Sequence, residues 1–218
     1  MSTFDIFFWI ILLVVLVISG YYASKRENKF KITKQDFISK YSFKEEGEIY
    51  RELHKHGFRL LNFTDEDYEI CKIMKKESEK EDIYIFDFVY RSKYADPSNS
   101  SKPSTLRAVF FKFKSKKLYK FELFPENFFE KIKQLFGFAD IDFNEHPIFS
   151  KLYVLKAEEE SEVRTRFPKL LITKLENIKG VCIESRESCL LTYNLHEGEF
   201  ADYENLYKNA VFFASSFK

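Results

Sequence analysis

An unbroken apolar run near the amino terminus, IFFWIILLVVLVISGYYA from Ile6 to Ala23, restricts most strongly what this chain can become. The run contains no charged residue. As a helix rising about 1.5 Å per residue it would span roughly 27 Å, close to the ~30 Å hydrocarbon core of a bilayer. We therefore predict a transmembrane anchor over residues 1–24, with residues 6–23 in contact with the lipid bilayer.

A cleaved signal peptide or a buried core helix could also be apolar. A signal peptide has a basic segment before its apolar run and small residues before the cleavage site. Here Asp5 is the one charged side chain before the run, and Tyr-Tyr-Ala is a poor cleavage sequence. A core helix is seldom so uniformly apolar, so the composition favours the anchor.

The charges that flank the run predict its orientation. No Lys or Arg precedes it, and the residues that follow it closely include Lys25, Arg26, Lys29, Lys31 and Lys34. Basic residues beside a span stay on the cytoplasmic side. We predict a single-pass protein of the inner (plasma) membrane with a cytoplasmic carboxyl-terminal domain, joined to the anchor by a basic juxtamembrane linker over residues 25–43. Three cysteines without a C-x-x-C pair suit a reducing compartment.

The remaining residues, 44–218, are predicted to form one α+β globular domain with a mainly antiparallel sheet and packed helices. Strand patterns come in hairpins with helices between the groups, which excludes a strict βαβ alternation. Helices are expected over residues 44–56, 64–75, 126–136, 158–167, 169–177 and 202–217. Strands are expected over residues 58–63, 83–90, 106–114, 118–124, 149–157, 181–184 and 189–194. Two hairpins are predicted: one joins the strands 106–114 and 118–124, and the other joins the strands 181–184 and 189–194. Residues 96–104 are predicted to be a loop.

Composition excludes several classes of function. The formal net charge is +1, which gives no bulk attraction to a polyanion, so we predict no nucleic-acid partner. The sequence has neither G-x-x-x-x-G-K-[ST] nor G-x-G-x-x-G, and no G-x-S-x-G. Aromatic residues alternate with lysines from Phe110 to Phe121, but any half-buried hairpin shows this pattern. We expect no cofactor.

One polar stretch is dense enough to suggest chemistry. From Asp140 to Ser150 the sequence reads DIDFNEHPIFS. An EF-hand loop would need Gly and Glu where Glu145 and Lys151 stand, and a zinc site would need further ligands, so we predict no metal. A polar turn before a strand is the favoured interpretation. The alternative is catalytic, with Asp140, Asp142 and His146 as the reacting groups.

Two other groups of candidate residues are interpreted as structural. His54 and His56 lie two apart on a helix, where they point to different sides. With Arg186 and Glu187 at the hairpin turn, Cys182 would face about Leu191 and Cys189 would face Glu184. The two thiols would then be diagonal neighbours, which suits packing better than catalysis.

Several motifs resemble a group of uncharacterised bacterial membrane proteins that combine one amino-terminal span with an α+β domain. These motifs are DIDFNEHPIFSKLYVL from Asp140, EExxVRTRF from Glu159, LLTY from Leu190 and FELFPE from Phe121. The similarity covers most of residues 80–217, with Ala157 where the group has glycine after a strand. The group has no established activity, so the resemblance implies the architecture and assigns no functional residue.

Two functions are consistent with this sequence. The favoured hypothesis is a membrane-tethered, non-enzymatic binding module that faces the cytoplasm and holds a protein, peptide or lipid head group. The alternative is a membrane-bound hydrolase that uses the acids of residues 140–146 with His146. A protein partner at the membrane is consistent with the first.

Overall fold

The computed structural model describes residues 12–15, 34–45, 47–63, 68–91, 103–128, 140–195 and 203–217. The chain divides into two compact units, Met1–Ser42 and Phe43–Lys218. In the first unit, residues 12–15 are helical and their four apolar side chains are all exposed. Residues 34–41 are also helical, and the rings of Phe37 and Tyr41 lie 4.9 Å apart.

The second unit is built on a seven-stranded sheet whose pairings are all antiparallel within the described residues. Its strand order is β1-β2-β3-β7-β6-β4-β5. The strands are β1 Tyr68–Glu77, β2 Glu81–Tyr90, β3 Ser104–Phe113, β4 Phe121–Pro125, β5 Tyr153–Ala157, β6 Val181–Arg186 and β7 Cys189–Asn194. An α+β fold with an antiparallel sheet is thereby confirmed.

Five helices accompany this sheet in the described part of the second unit. They are α1 Tyr50–His56, α2 Pro147–Leu152, α3 Glu160–Arg166, α4 Lys169–Leu175 and α5 Tyr203–Ser216. A 3-10 helix, Arg59–Phe63, follows α1, and residues 126–128 are helical at the end of β4. Helix α1 ends where predicted, since Gly57 adopts the left-handed conformation with φ of 61°.

The sheet separates two apolar layers because side chains alternate between its faces. On one face, Ile49 and Leu53 of the α1 segment pack with Phe58 and Leu60 against β2, β3 and β7. On the other face, α5 packs on β3, and the rings of Phe121, Phe167 and Phe217 lie 5.1 to 5.9 Å apart. The first face also carries the charged residues described below.

Several predicted elements are confirmed. The strand over 83–90 lies within β2, and the helices on either side of Pro168 are α3 and α4. The predicted hairpin near the carboxyl terminus is β6–β7, and the closing helix is α5. The loop over 96–104 falls almost wholly outside the described residues, as does most of the helix over 126–136.

Two predictions between residues 58 and 77 are wrong. Residues 68–75 of the helix expected over 64–75 lie in strand β1, which pairs with β2 on both sides of an irregularity between Cys71 and Met74. The strand expected over 58–63 is the 3-10 helix Arg59–Phe63. In the first case, the sequence at the start of segment 64–75 has the composition of a helix cap. Pairing of β1 with β2 stabilises a strand there instead. In the second case a distant carboxylate, Glu184, binds the first amides of the 3-10 helix.

Three further predictions need correction. Segments 106–114 and 118–124 do not form a hairpin, because β3 pairs with β2 and β7 whereas β4 pairs with β5 and β6. The strand over 149–157 starts only at Tyr153, since Pro147 opens helix α2. The β6–β7 register differs by two residues from the prediction: Cys182 faces Tyr193 and Cys189 faces Arg186.

No helix among the residues that the structure describes is long and apolar enough to cross a membrane. The anchor predicted over 6–23 lies outside those residues except for 12–15. It therefore stays a prediction.

Candidate functional site

A polar cavity of about 430 Å³ opens beside β4 and β6, which are neighbouring strands of the sheet. Four segments supply its walls: the end of α1, the start of the 3-10 helix, the approach to β4 and the β6–β7 turn. Nine residues line it: Lys55, His56, Gly57, Arg59, Leu118, Lys120, Glu122, Arg186 and Glu187. A volume of this size is within the range of small-molecule sites.

Backbone contacts fix the walls of this cavity. The left-handed conformation of Gly57 ends α1 and turns the chain toward Arg59. Glu187 also has a positive φ, 51°, at the turn between β6 and β7. The carbonyl of that turn residue accepts the Leu118 N–H at 2.5 Å, so the approach to β4 is held against the turn.

The floor of the cavity carries a charged network. Glu122 of β4 lies directly opposite Glu184 of β6 in the strand register, and two facing carboxylates would repel each other. Arg186 lies between them: its guanidinium donates to Glu122 and approaches Glu184 at 3.6 Å. Arg59 binds Glu122 from the other side, with Nε 3.2 Å from Oε1. Lys156, buried on β5, is the other register neighbour of Glu122.

Glu184 positions this network from beneath. Its carboxylate is fully buried and accepts the backbone N–H groups of Arg59 and Leu60 at 2.6 and 3.1 Å. The Tyr193 hydroxyl donates to the same carboxylate at 2.9 Å. Burial raises the pKa of Glu184 to about 7, an effect that Arg186 opposes. Because the Glu184 carboxylate binds the first two amides of the 3-10 helix, it fixes the position of Arg59 in the cavity wall.

A cysteine–histidine pair lies next to the cavity. The Cys189 sulfur is 3.5 Å from Nε2 of His56, and the same nitrogen is 3.8 Å from a carboxylate oxygen of Glu52. A nucleophilic triad would place the acid on the other ring nitrogen. Burial also raises the pKa of the Cys189 thiol to about 11, which leaves little thiolate at neutral pH. This pair therefore lacks the geometry of a nucleophilic triad. The diagonal arrangement predicted for Cys182 and Cys189 is not observed, because Cys182 faces Tyr193 and Cys189 faces Arg186.

His54 has a separate role from His56. Its Nε2 lies 2.5 Å from the hydroxyl of Tyr68 on β1, and its ring centroid is 4.2 Å from that of Tyr50. The two histidines thus face different neighbours, in agreement with their spacing on α1.

The stretch from Asp140 to His146 borders a second cavity, of about 380 Å³. Its lining combines part of this stretch with residues of α3, of α4 and of the link between them: Asp142, Phe143, Asn144, Glu145, His146, Arg164, Thr165, Phe167, Lys169 and Ile172. Two of the three residues of the catalytic alternative, Asp142 and His146, are among them. Asp140 is not.

Each residue of that alternative has a different partner. The Asp140 carboxylate accepts the Leu155 N–H at 3.0 Å, which joins the turn to β5. The side chain of Asp142 is exposed, and its carbonyl accepts from Arg164 at 2.5 Å. His146 Nδ1 lies 3.3 Å from a carboxylate oxygen of Glu176. Across the described residues, no group of three or more His, Cys, Asp and Glu side chains could hold a metal ion.

No protein family, curated protein or solved structure matches this chain. The resemblance to uncharacterised single-span membrane proteins therefore stays a prediction, and the proposals below are based on the geometry of the chain itself.

Sequence reasoning missed the charged network on the cavity floor. The available indication was an acid inside each of two otherwise apolar strands, Glu122 in FELFP and Glu184 in VCIE, followed by Arg186. A charge at a position with the burial period of a strand needs a buried partner. Arg59 could not be found in this way, since only the fold brings it to β4.

Proposed function

We propose that this chain is a membrane-tethered binding module, with its ligand site in the cavity lined by α1, β4 and the β6–β7 turn. One observation carries the proposal: the cavity floor is a buried, mutually paired set of charges, held in place before any ligand arrives. Such preorganisation favours binding, because the ordering of side chains is complete in the free protein. Burial raises the pKa of the Cys189 thiol beside the cavity, which disfavours its thiolate and so favours binding over nucleophilic catalysis.

The tether is supported by the sequence and by four described residues. Residues 12–15, within the apolar run, are helical and carry four exposed apolar side chains: Leu12, Leu13, Val14 and Val15. Exposed apolar surface on a helix suits a lipid environment better than water. The basic residues that follow the run favour a cytoplasmic position for the folded unit.

The hydrolase alternative has one supporting observation, the presence of Asp142 and His146 in the lining of the second cavity. General acid–base catalysis needs such groups within hydrogen-bond reach of one substrate. The pairing of His146 with Glu176, and of Asp140 with the Leu155 amide, favours structural roles for both. We therefore give preference to the binding module.

The tether predicts a definite pattern of protection from protease. Protease added to intact spheroplasts should leave residues 30–218 undigested, and lysis should expose them to cleavage, because the domain lies inside the membrane barrier. A marker protein of known periplasmic position controls for access. Digestion of the domain before lysis would contradict the orientation, and recovery of the chain in the soluble fraction without residues 1–23 would contradict the anchor.

The binding site predicts a bound molecule. Full-length protein extracted in detergent from its native membrane should carry a small-molecule adduct in native mass spectrometry. The double variant Lys55→Glu/Lys120→Glu should lose that adduct, since both exposed lysines lie at the cavity. The variant Lys80→Glu/Lys179→Glu has the same change in charge outside the cavity and should keep it. An adduct that survives in the cavity variant, or is missing from the native protein, argues against a ligand in this cavity.

A further inference from the structure

The charge of the main cavity restricts the chemistry of its ligand. Its lining contains four basic side chains, Lys55, Arg59, Lys120 and Arg186, against two acidic ones, Glu122 and Glu187. This leaves an excess of two positive charges. His56 lies in the same wall. Burial lowers the pKa of its imidazole and so favours the neutral ring, in which one nitrogen donates a hydrogen bond and the other accepts one.

We propose that this cavity binds a phosphate group, either as a free phosphate compound or as the phosphomonoester head group of a lipid. The inference rests on the proposed function, because it names the ligand class of the same site. A phosphomonoester carries about −1.5 to −2 charges at pH 7, which matches the excess of the lining. Guanidinium groups present donors in the geometry that phosphate oxygens accept.

The residues divide between the mouth and the floor of the cavity. Lys55 and Lys120 are exposed and attract the anion. Arg186 is 7% exposed at its side chain and is fixed by Glu122 and by the carbonyls of Phe121 and Ser185. It therefore acts as a positioned charge at the base of the site. Arg59 is similarly held, through its backbone by Glu184 and through its Nε by Glu122.

The acidic side chains at and near the main cavity do not make its lining negative. Lys120 contacts Glu158 at 3.1 Å, but both side chains are about half exposed, and pairs of this kind are weak in water. Glu187 is exposed at the turn, where solvent screens its charge. Glu122 is bound by both arginines, so its negative charge is spread over the network on the floor. Glu184 beneath the floor and Glu52 beside His56 are likewise paired, with Arg186 and Lys112 respectively.

Isothermal titration of the full-length chain in non-ionic detergent tests the proposal. The titrants are inorganic phosphate, glycerol 3-phosphate and dihexanoyl phosphatidic acid, with dihexanoyl phosphatidylcholine as a lipid that lacks a phosphomonoester. Saturable binding of at least one of the three phosphomonoester or phosphate titrants is expected. Lys55→Gln/Lys120→Gln should weaken that binding by about tenfold or more, and 0.3 M salt should weaken it further.

A matched variant shows whether the effect belongs to the cavity. Lys80→Gln/Lys179→Gln removes the same charge from exposed positions outside the lining and should leave the affinity within about twofold of wild type. Both variants should keep the wild-type melting temperature, since all four lysines are exposed. An equal loss of affinity in the two variants would show non-specific attraction and overturn the proposal.

The three titrants also distinguish the sources of phosphate. Dihexanoyl phosphatidic acid binding about tenfold tighter than glycerol 3-phosphate would identify a lipid head group; equal affinities would identify a soluble phosphate compound. If no phosphate titrant binds while the native adduct persists, the phosphate inference fails and the binding module stands. If both are missing, both proposals fail.

Discussion

Replacing Arg186 with methionine is expected to destabilise the second unit by about 3–5 kcal/mol, the usual consequence of leaving a buried charge without its partner. The guanidinium compensates Glu122 and Glu184, both buried and directly opposed in the sheet. Methionine keeps an unbranched apolar chain at the site, so most of the effect is electrostatic. Urea unfolding of the full-length chain in detergent, followed by near-ultraviolet circular dichroism of its tyrosines, measures the change.

The pH dependence of this loss separates charge from packing. In the wild type, burial already raises the pKa of Glu184 from 4.5 to about 7, and Arg186 limits the rise. An acid with a raised pKa in the folded state binds its proton more tightly there, so stability falls as pH increases from the unfolded value toward the folded one. Without Arg186 that fall is steeper and extends above pH 7. The destabilisation should therefore be larger at pH 8 than at pH 5.

Arg166→Met is the matched control. Arg166 forms an ion pair with Glu162 one helical turn away, at side chains that are 58% and 38% exposed. Breaking this pair should cost about 1 kcal/mol or less. The prediction is wrong if both variants lose a similar free energy of unfolding, or if the loss in Arg186→Met is the same at pH 5 and pH 8. Either result would show that the charge of Arg186 contributes little to stability.

The sequence predicted correctly those helices and hairpins that are determined by the pattern of apolar and polar residues within one short segment. The β6–β7 hairpin has a continuous apolar pattern with a short polar turn, and α5 has a helical stripe, so both were recognisable. Segment 64–75 carries the composition of a capped helix, yet Tyr68–Glu77 pairs with β2. A strand's partner lies elsewhere in the sequence, and its contribution is not visible in a local window.

The order of the strands in the sheet could not be predicted either, because it depends on pairing between distant segments. Segments close in sequence, 106–114 and 118–124, have alternating patterns that suit a hairpin, but in the sheet β7 and β6 lie between them. Strand β3 is buried along most of its length, and it pairs with β2 on one side and with β7 on the other. Apolar content at both face positions, as in Val109 to Phe111, was the indication of a central strand.

The candidate site was harder to predict than the fold. The acids of residues 140–146 form a visible cluster because they lie close together in the sequence. The charged network of the main cavity joins residues that lie far apart in the sequence, from Arg59 to Arg186. Glu122 becomes a neighbour of Glu184 and Arg186 only through the β4–β6 register. A contiguous polar cluster is often a turn, and here the turn supplies one wall of the second cavity.

Replacing Phe213 with alanine is expected to destabilise the second unit by about 3–5 kcal/mol, the range for deleting a large aromatic side chain from a core. Phe213 is fully buried on α5, which packs on β3. It lies on the apolar stripe of this carboxyl-terminal segment, in which every residue is buried: Tyr203, Leu206, Tyr207, Ala210, Phe213 and Phe217. The same urea unfolding measures the loss.

The neighbouring residue provides a control of identical chemistry. Phe212 is one position outside the stripe and only partly buried, with the Lys174 ammonium 6.0 Å from its ring centre. Because its ring is still partly in contact with water, Phe212→Ala leaves less of a cavity and should cost about 1 kcal/mol. If the helix closes the core through its stripe, the two phenylalanines must differ in this order. Equal losses would mean that α5 contributes by its general apolar character, and that the helical period does not select which ring meets the sheet.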